Sequence, residues 1–184
     1  TNVAQTDLRG VTVSCKMHEM VKPSLYVYNR VTHATGGLGS TTGKNSNLWV
    51  AGVKAKFATG GLNASLELAK NFGEDRTKTL SPEDTNYKGW AIQAKAAYKL
   101  DLSNVGMITP WGEFGMGSGD SNNTWQGNRN FQAINSDYRP GGIYGRFDTG
   151  SAQVLGNGLA TFAGSSNGLS NRIIWGVGVK ATPS

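Results

Sequence analysis

The chain has 184 residues, of which 38% are hydrophobic, with 26 glycines, one cysteine and a formal net charge of +6. That is the size of one domain with enough apolar material for a core, and the composition is neither disordered nor collagen-like. No apolar run approaches the roughly 18 residues of a membrane-crossing helix, so a membrane reading has to rest on strands. The 18 Lys and Arg residues are scattered singly, with no basic tract or nucleic-acid motif, which argues against nucleic acid as a partner. Cys15 has no second cysteine to pair with and reads as a small half-buried apolar residue. Cys15-Lys-Met-His18 lacks the second cysteine of a haem-attachment motif, and no other His/Cys cluster calls for a metal or cofactor.

Beginning near Val11, stretches of about ten residues rich in Val, Ala, Leu, Tyr and Trp are separated by Gly, Asn, Ser, Asp and Pro. This predicts nine strands, over 11–21, 24–34, 47–58, 62–72, 88–100, 105–117, 140–149, 153–163 and 171–181. In 24–34 the facing is ambiguous, since Tyr26 and Tyr28 alternate with Leu25, Val27 and Val31. In 47–58, Trp49, Ala51, Val53, Ala55 and Phe57 share one face, opposite Lys54 and Lys56. In 62–72, Leu62, Ala64, Leu66 and Leu68 oppose Asn63, Ser65, Glu67 and Asn71. The clearest case puts Trp90, Ile92, Ala94, Ala96 and Tyr98 against Gln93, Lys95 and Lys99. In 105–117 the expectation is Ile108, Phe114 and Met116 outward, with Thr109, Trp111 and Glu113 inward. In 171–181, Ile173, Trp175, Val177 and Val179 oppose Arg172 and Lys180.

A half-buried strand of a soluble sheet alternates in the same way, so facing alone leaves both settings open. The connections favour the membrane. Lys22-Pro23, 59–61, 101–104 and 150–152 are short, whereas 35–46, 73–87 and 118–139 are long and 164–170 is intermediate. An antiparallel meander with two unequal ends is what outer-membrane barrels have. The expected fold is therefore all-β, an antiparallel up-and-down transmembrane β-barrel occupying 1–184 as a single region. Ring residues Trp49, Phe57, Trp90, Tyr98 and Trp175 would lie at the membrane interfaces. An odd strand count and an ending at Lys180-Ala-Thr-Pro-Ser184 suggest part of a larger barrel, its edges needing further strands of the same chain or another copy. A closed eight-stranded barrel with 11–21 as a peripheral arm is the alternative.

From Gly61 onward the order of motifs carries a family resemblance. Gly61-Leu62 is followed by Glu67-Leu-Ala-Lys-Asn-Phe-Gly73 and Ala96-Ala-Tyr98. Then come Pro110, Gly115-Met-Gly-Ser118-Gly119-Asp120 and a loop phenylalanine, Phe131. Over about 61–150 the chain resembles the alginate-export type of bacterial outer-membrane porin. The resemblance implies a large antiparallel barrel that conducts solutes across the outer membrane without catalysis. The alginate-binding arginines of that family find no clear counterparts here, because the inward positions mostly carry lysine.

If the polar faces line a water-filled lumen, Lys54, Lys56, Lys95, Lys99, Arg146, Arg172 and Lys180 point inward against Glu67 and Glu113. In that reading Lys95 and Lys99 sit beside Glu67. Such a surplus of positive charge lowers the entry barrier for anions, so the expected function is a weakly anion-selective outer-membrane channel for small polar solutes. The bland alternative is that these lysines only discourage edge-to-edge association. The expected partners are the lipid bilayer or lipopolysaccharide, small anionic solutes and either a further copy or missing strands. The loop 118–139, with Asp120 and Asp137, reads as an external loop. Its functional alternatives are a constriction folded into the lumen or a set of calcium-binding oxygens. His18 and His33 lack a nucleophile at useful spacing, and Gly36-Gly37-Leu-Gly39 precedes no helix, so enzymatic activity is not expected. A soluble β-sandwich that binds carbohydrate near Trp111-Gly-Glu is the competing function.

Overall fold

The computed structural model describes residues 6–16, 19–33, 45–76, 85–103, 106–119, 127–134, 169 and 171–183. These form ten strands and no helix. They are β1 Thr6–Ser14, β2 Val21–Thr32, β3 Ser46–Thr59, β4 Leu62–Asp75, β5 Thr85–Tyr87, β6 Trp90–Tyr98, β7 Leu100–Asp101, β8 Gly106–Gly117, β9 Gly127–Asn128 and β10 Arg172–Pro183. The seven long strands form one sheet in the order β1-β2-β3-β4-β6-β8-β10, with every neighbouring pair antiparallel. The three short strands pair beside it, and β5–β9 is the one parallel contact among the described residues. β1 and β10 are the two edges, so the described sheet is open and does not close into a barrel.

Six of the seven long strands fall within about three residues of expectation at both ends, because two-residue periodicity is unbroken through them. β1 does not. It lies over Thr6–Ser14 instead of 11–21, and the connection to β2 is 15–20, so Lys22 and Pro23 are strand residues. The Cys15 amide donates to the Pro23 carbonyl at 3.0 Å, and proline has no amide to return the bond. The β1–β2 ladder ends there, at Ser14↔Ser24, while nothing is lost toward β3, where Pro23 faces Ala55. Cys15 is exposed on this turn and not half-buried as expected. A tight hairpin joins β3 to β4 through Gly60 and Gly61, whose φ values of +48° and +88° suit a two-residue turn of the strand's own twist.

The order of strands also departs from expectation. β8 is paired along its length with β6 on one side and β10 on the other, from Ala91↔Gly117 and Arg172↔Gly117 downward. Among the described residues, the strand beside 105–117 in the sheet is therefore the one near 171–181. The strands expected over 140–149 and 153–163 lie outside the described residues. The inequality of the two ends persists. Connections 33–45, 76–89 and 118–171 lie at one end, and 15–20, 60–61 and 102–105 at the other.

The registers assign every long-strand side chain to a face. On one face three successive rows run across the sheet without a polar side chain. They are Leu25-Val53-Leu68-Ile92-Met116-Ile173, Pro23-Ala55-Leu66-Ala94-Phe114-Trp175 and Val21-Phe57-Ala64-Ala96-Gly112-Val177. This face is open, with Trp175 at 73% and Val177 at 75% exposure. Several of its ring residues stand toward the ends, whereas Phe114 and Trp175 sit in the middle row, so Trp175 does not stand at an end of the sheet as expected. Trp49 and Phe72 stack at 6.0 Å near the long-connection end, and Phe57 and Tyr98 stand near the turns. Lys70 shares this face, but its Nζ reaches the Lys88 carbonyl at 2.6 Å, carrying the charge to the sheet's end.

Candidate functional site

The opposite face carries the charge. Directly paired positions build two rows, Ser24-Lys54-Glu67-Gln93-Gly115 and, one step nearer the turns, Lys22-Lys56-Ser65-Lys95-Glu113-Gly176. Alternation along each strand puts these polar residues together, since each lies an even number of residues from the next on its own strand. Lys54 Nζ meets Glu67 Oε2 at 2.7 Å, and the Tyr26 hydroxyl donates to Glu67 Oε1 at 2.8 Å. Lys95 Nζ lies 3.2 Å from Glu113 Oε2, with Glu113 nearly enclosed and Lys95 open. Half-exposed pairs of this kind contribute on the order of 0.2–1 kcal/mol each, so they fix side-chain positions more than they hold the sheet together.

The structure thus brings together Lys54, Lys56, Glu67, Lys95 and Glu113 from five neighbouring places on one face. It corrects one pairing. Glu67 is held by Lys54 and Tyr26, while Lys95 is taken by Glu113 on β8; Lys95 and Glu67 are two rungs apart in register. Lys99 stands just beyond β6, opposite Thr109 if the register from Ala97↔Trp111 to Leu100↔Ile108 is carried through it. Arg172 shares the polar face at the long-connection end and Lys180 at the turn end, opposite Gly117 and Thr109. Arg146, Asp120 and Asp137 lie outside the described residues. The ring residues Trp49, Phe57, Trp90, Tyr98 and Trp175 all fall on the apolar face.

A segment of the connection after β8 lies over the polar face. Residues 127–134 cross it near the long-connection end, with Phe131 at 7% and Gln132 at 3% exposure. Phe131 packs with Leu48, Val50, Tyr87, Ala91 and Leu169, the buried apolar cluster among the described residues. Asn71, wholly buried on β4, donates to the Gln132 carbonyl at 2.9 Å and accepts from the Gln132 amide at 2.6 Å. Ser118, at the end of β8, ties the same segment to the sheet. Its hydroxyl donates to the Arg129 carbonyl at 2.6 Å and accepts from the Trp90 amide at 2.8 Å, and its carbonyl accepts from Phe131. Gly89 leaves room for the crossing, since a Cβ there would come within 2.5 Å of the Phe131 backbone.

The described part of the 118–139 loop, residues 127–134, therefore lies against the polar face of the sheet. Between it and the charged rows is a groove of about 540 Å³, with Tyr26, Tyr28, Lys54, Glu67 and Gln93 on the sheet side and Phe131, Ala133 and Ile134 on the loop side. Phe131-Gln-Ala-Ile134 inside an otherwise polar loop is the sequence signal for this burial. Among the described residues no group of three His, Cys, Asp or Glu side chains is placed to hold a metal. His33 lies at the rim beside β2, its Nε2 3.0 Å from Asp7 Oδ2 and its Nδ1 3.2 Å from Asn45 Nδ2. In comparisons with known proteins the chain matches no family model, no curated protein and no solved structure.

Proposed function

We propose that this chain forms the wall of an outer-membrane diffusion channel with a preference for small anions, and that residues 127–134 narrow its lumen. The observation that carries the reading is the three-row apolar face, open across six strands, on the back of a charged one. Water-soluble proteins rarely leave an apolar patch above a few hundred Å² uncovered, whereas a barrel wall presents such a face to lipid. Trp90–Tyr98 is nine residues long, the lower end of the roughly 9–11 tilted residues with which a strand crosses a bilayer. Closure of the open edges, by further strands of a longer chain or by another copy, belongs to this proposal.

The charge preference rests on the described polar face, where Lys22, Arg30, Lys54, Lys56, Lys95, Arg172 and Lys180 outnumber Glu67 and Glu113. In a wall of low dielectric constant such an excess favours anions. The test is to purify the protein with and without detergent and to measure reversal potentials under a salt gradient in planar bilayers. Detergent dependence, heat-modifiable migration and an anion-selective reversal potential are expected. A protein that stays monodisperse without detergent and forms no conductance would overturn the channel and favour the soluble carbohydrate-binding alternative.

A further inference from the structure

One short stretch of the polar face sets a charged pair directly beside an apolar step. Lys54 and Glu67 are partners in the β3–β4 register, and Gln93 is the partner of Glu67 on β6. Lys54 Nζ and Glu67 Oε2 are 2.7 Å apart, yet both side chains stay partly open, at 35% and 27% exposure. That contact exhausts neither group, since an ammonium has further N–H donors and a carboxylate further lone pairs.

The next same-face rung toward the long connections is Gly52-Ala69-Ala91, about 7 Å away along the strands. It lies under the loop: Ala91 belongs to the buried cluster with Phe131, and Ala69 and Ile134 pack against that cluster. Tyr26 spans the two rungs. Its hydroxyl donates to Glu67 Oε1 at 2.8 Å while its ring packs against the same apolar cluster. A Cβ at Gly52 would overlap Tyr26 Cζ and the hydroxyl oxygen, so glycine is what lets the ring lie across β3. One tyrosine-sized side chain therefore reaches from the charged pair to the apolar cluster, and these groups line a single groove of about 540 Å³.

The chemistry of the groove narrows what it can hold. An anion drawn to Lys54 meets Glu67 beside it, and a cation drawn to Glu67 meets Lys54. A polyhydroxylated solute would press unpaired hydroxyls onto Ala69, Ala91 and Phe131. A solute with an ammonium and a carboxylate on one carbon matches two opposite charges one hydrogen bond apart. We propose that Lys54, Glu67 and the Ala69–Ala91 step beneath Phe131 form a binding site for amino acids with apolar side chains. The carboxylate takes N–H donors of Lys54 and the ammonium takes lone pairs of Glu67, so no charge is left uncompensated, while the side chain lies along Tyr26 toward Phe131. This names a solute class for the channel and rests on that reading for its role as a solute-selecting step.

The experiment is calorimetric titration of the detergent-purified full chain with phenylalanine, glycine, N-acetylphenylalanine and phenethylamine, alongside conductance of the same preparation in planar bilayers. Phenylalanine is expected to bind saturably and about tenfold more tightly than the other three, which lack the side chain, the ammonium and the carboxylate respectively. Glu67→Gln should weaken phenylalanine about tenfold and leave N-acetylphenylalanine no weaker, and Lys54→Gln should do the same with phenethylamine as the spared compound. Two variants at opposite ends of one ion pair, each checked for heat-modifiable migration, keep the test valid if one of them fails to fold. Equal binding of all four compounds, or phenylalanine binding that neither variant weakens, would overturn the site. Absence of phenylalanine binding in a protein that still conducts anions would overturn it too and leave the channel standing. Saturable phenylalanine binding that is lost in both variants supports the site even where no conductance forms, and in that case the channel reading falls alone.

Discussion

Asn71 holds the backbone of Gln132 from both sides, its amide nitrogen on the carbonyl at 2.9 Å and its amide oxygen on the N–H at 2.6 Å. Both groups are buried, so neither can turn to water when the side chain is removed. Asn71→Ala should cost the inward position of residues 127–134 about 2 kcal/mol, a shift of roughly 30-fold toward the released loop. In single-channel recordings the expected outcome is a larger conductance with more frequent transitions. Unchanged conductance would mean that the segment does not narrow the path.

Gly89→Ala reaches the same segment by a different route. The added methyl meets the Asn130 carbonyl oxygen and the Phe131 backbone at about 2.5 Å, and backbone cannot swing aside as a long side chain can. Loop release is expected with the Asn71–Gln132 groups chemically intact. Limited proteolysis should cut near 127–134 faster in both variants than in the parent, and the double variant should be little worse than either single one.

Charge substitution at the paired rows should move selectivity without unfolding the sheet. Glu67→Gln leaves Lys54 uncompensated on the polar face and keeps an acceptor for the Tyr26 hydroxyl. Its reversal potential should shift toward anions, and that of Lys54→Glu toward cations. Because the ion pair is only partly buried, stability should change by less than about 1 kcal/mol in Glu67→Gln, checked by urea titration.

Arginine scanning of the apolar face separates lipid from water as its neighbour. Leu66 stands in the middle of the polar-free rows and is 44% exposed. In a bilayer Leu66→Arg should destabilise by about 2–4 kcal/mol, and Leu62→Arg, at the last rung before the turn, by about 0–1 kcal/mol. Unfolding from lipid vesicles measures the contrast. Equal, small effects at both positions would point to a face bathed in water.

In 47–58, 62–72, 88–100 and 171–181 the side of the sheet each residue takes is readable from the sequence, because a two-residue period survives errors of several residues in where a strand starts; in 24–34, where Tyr26 and Tyr28 alternate with Leu25 and Val27, it is not. Trp49, Val53 and Phe57, or Trp90, Ile92 and Tyr98, needed only parity. The β1–β2 turn was misplaced because Lys22-Pro23 has turn chemistry, and nothing local reveals that Pro23 can point its missing donor at the end of a ladder. Neighbourhood of distant strands is invisible to periodicity, so the contact of β8 with β10 could not be read from spacing. Spacing leaves the place of the 118–139 loop open between an external position and one against the polar face, because Phe131 and Ile134 look like stray apolar residues until Asn71, 61 positions from Gln132 in sequence, comes into contact. Arg146, Asp120 and Asp137 lie beyond the described residues and add nothing to the site as drawn.

The direct seam between β8 and β10 bears on how the sheet assembles. Every other long neighbour pair is joined within about fourteen residues, so those contacts are closer in sequence. β10 must instead find β8 across the whole of 118–171. The added search entropy grows only logarithmically with loop length, which makes this pairing slow more than weak. During assembly the edge of β8 and the apolar side of Phe114 and Met116 stand unpaired the longest, so that seam is where a chaperone or a wrong partner has its opportunity.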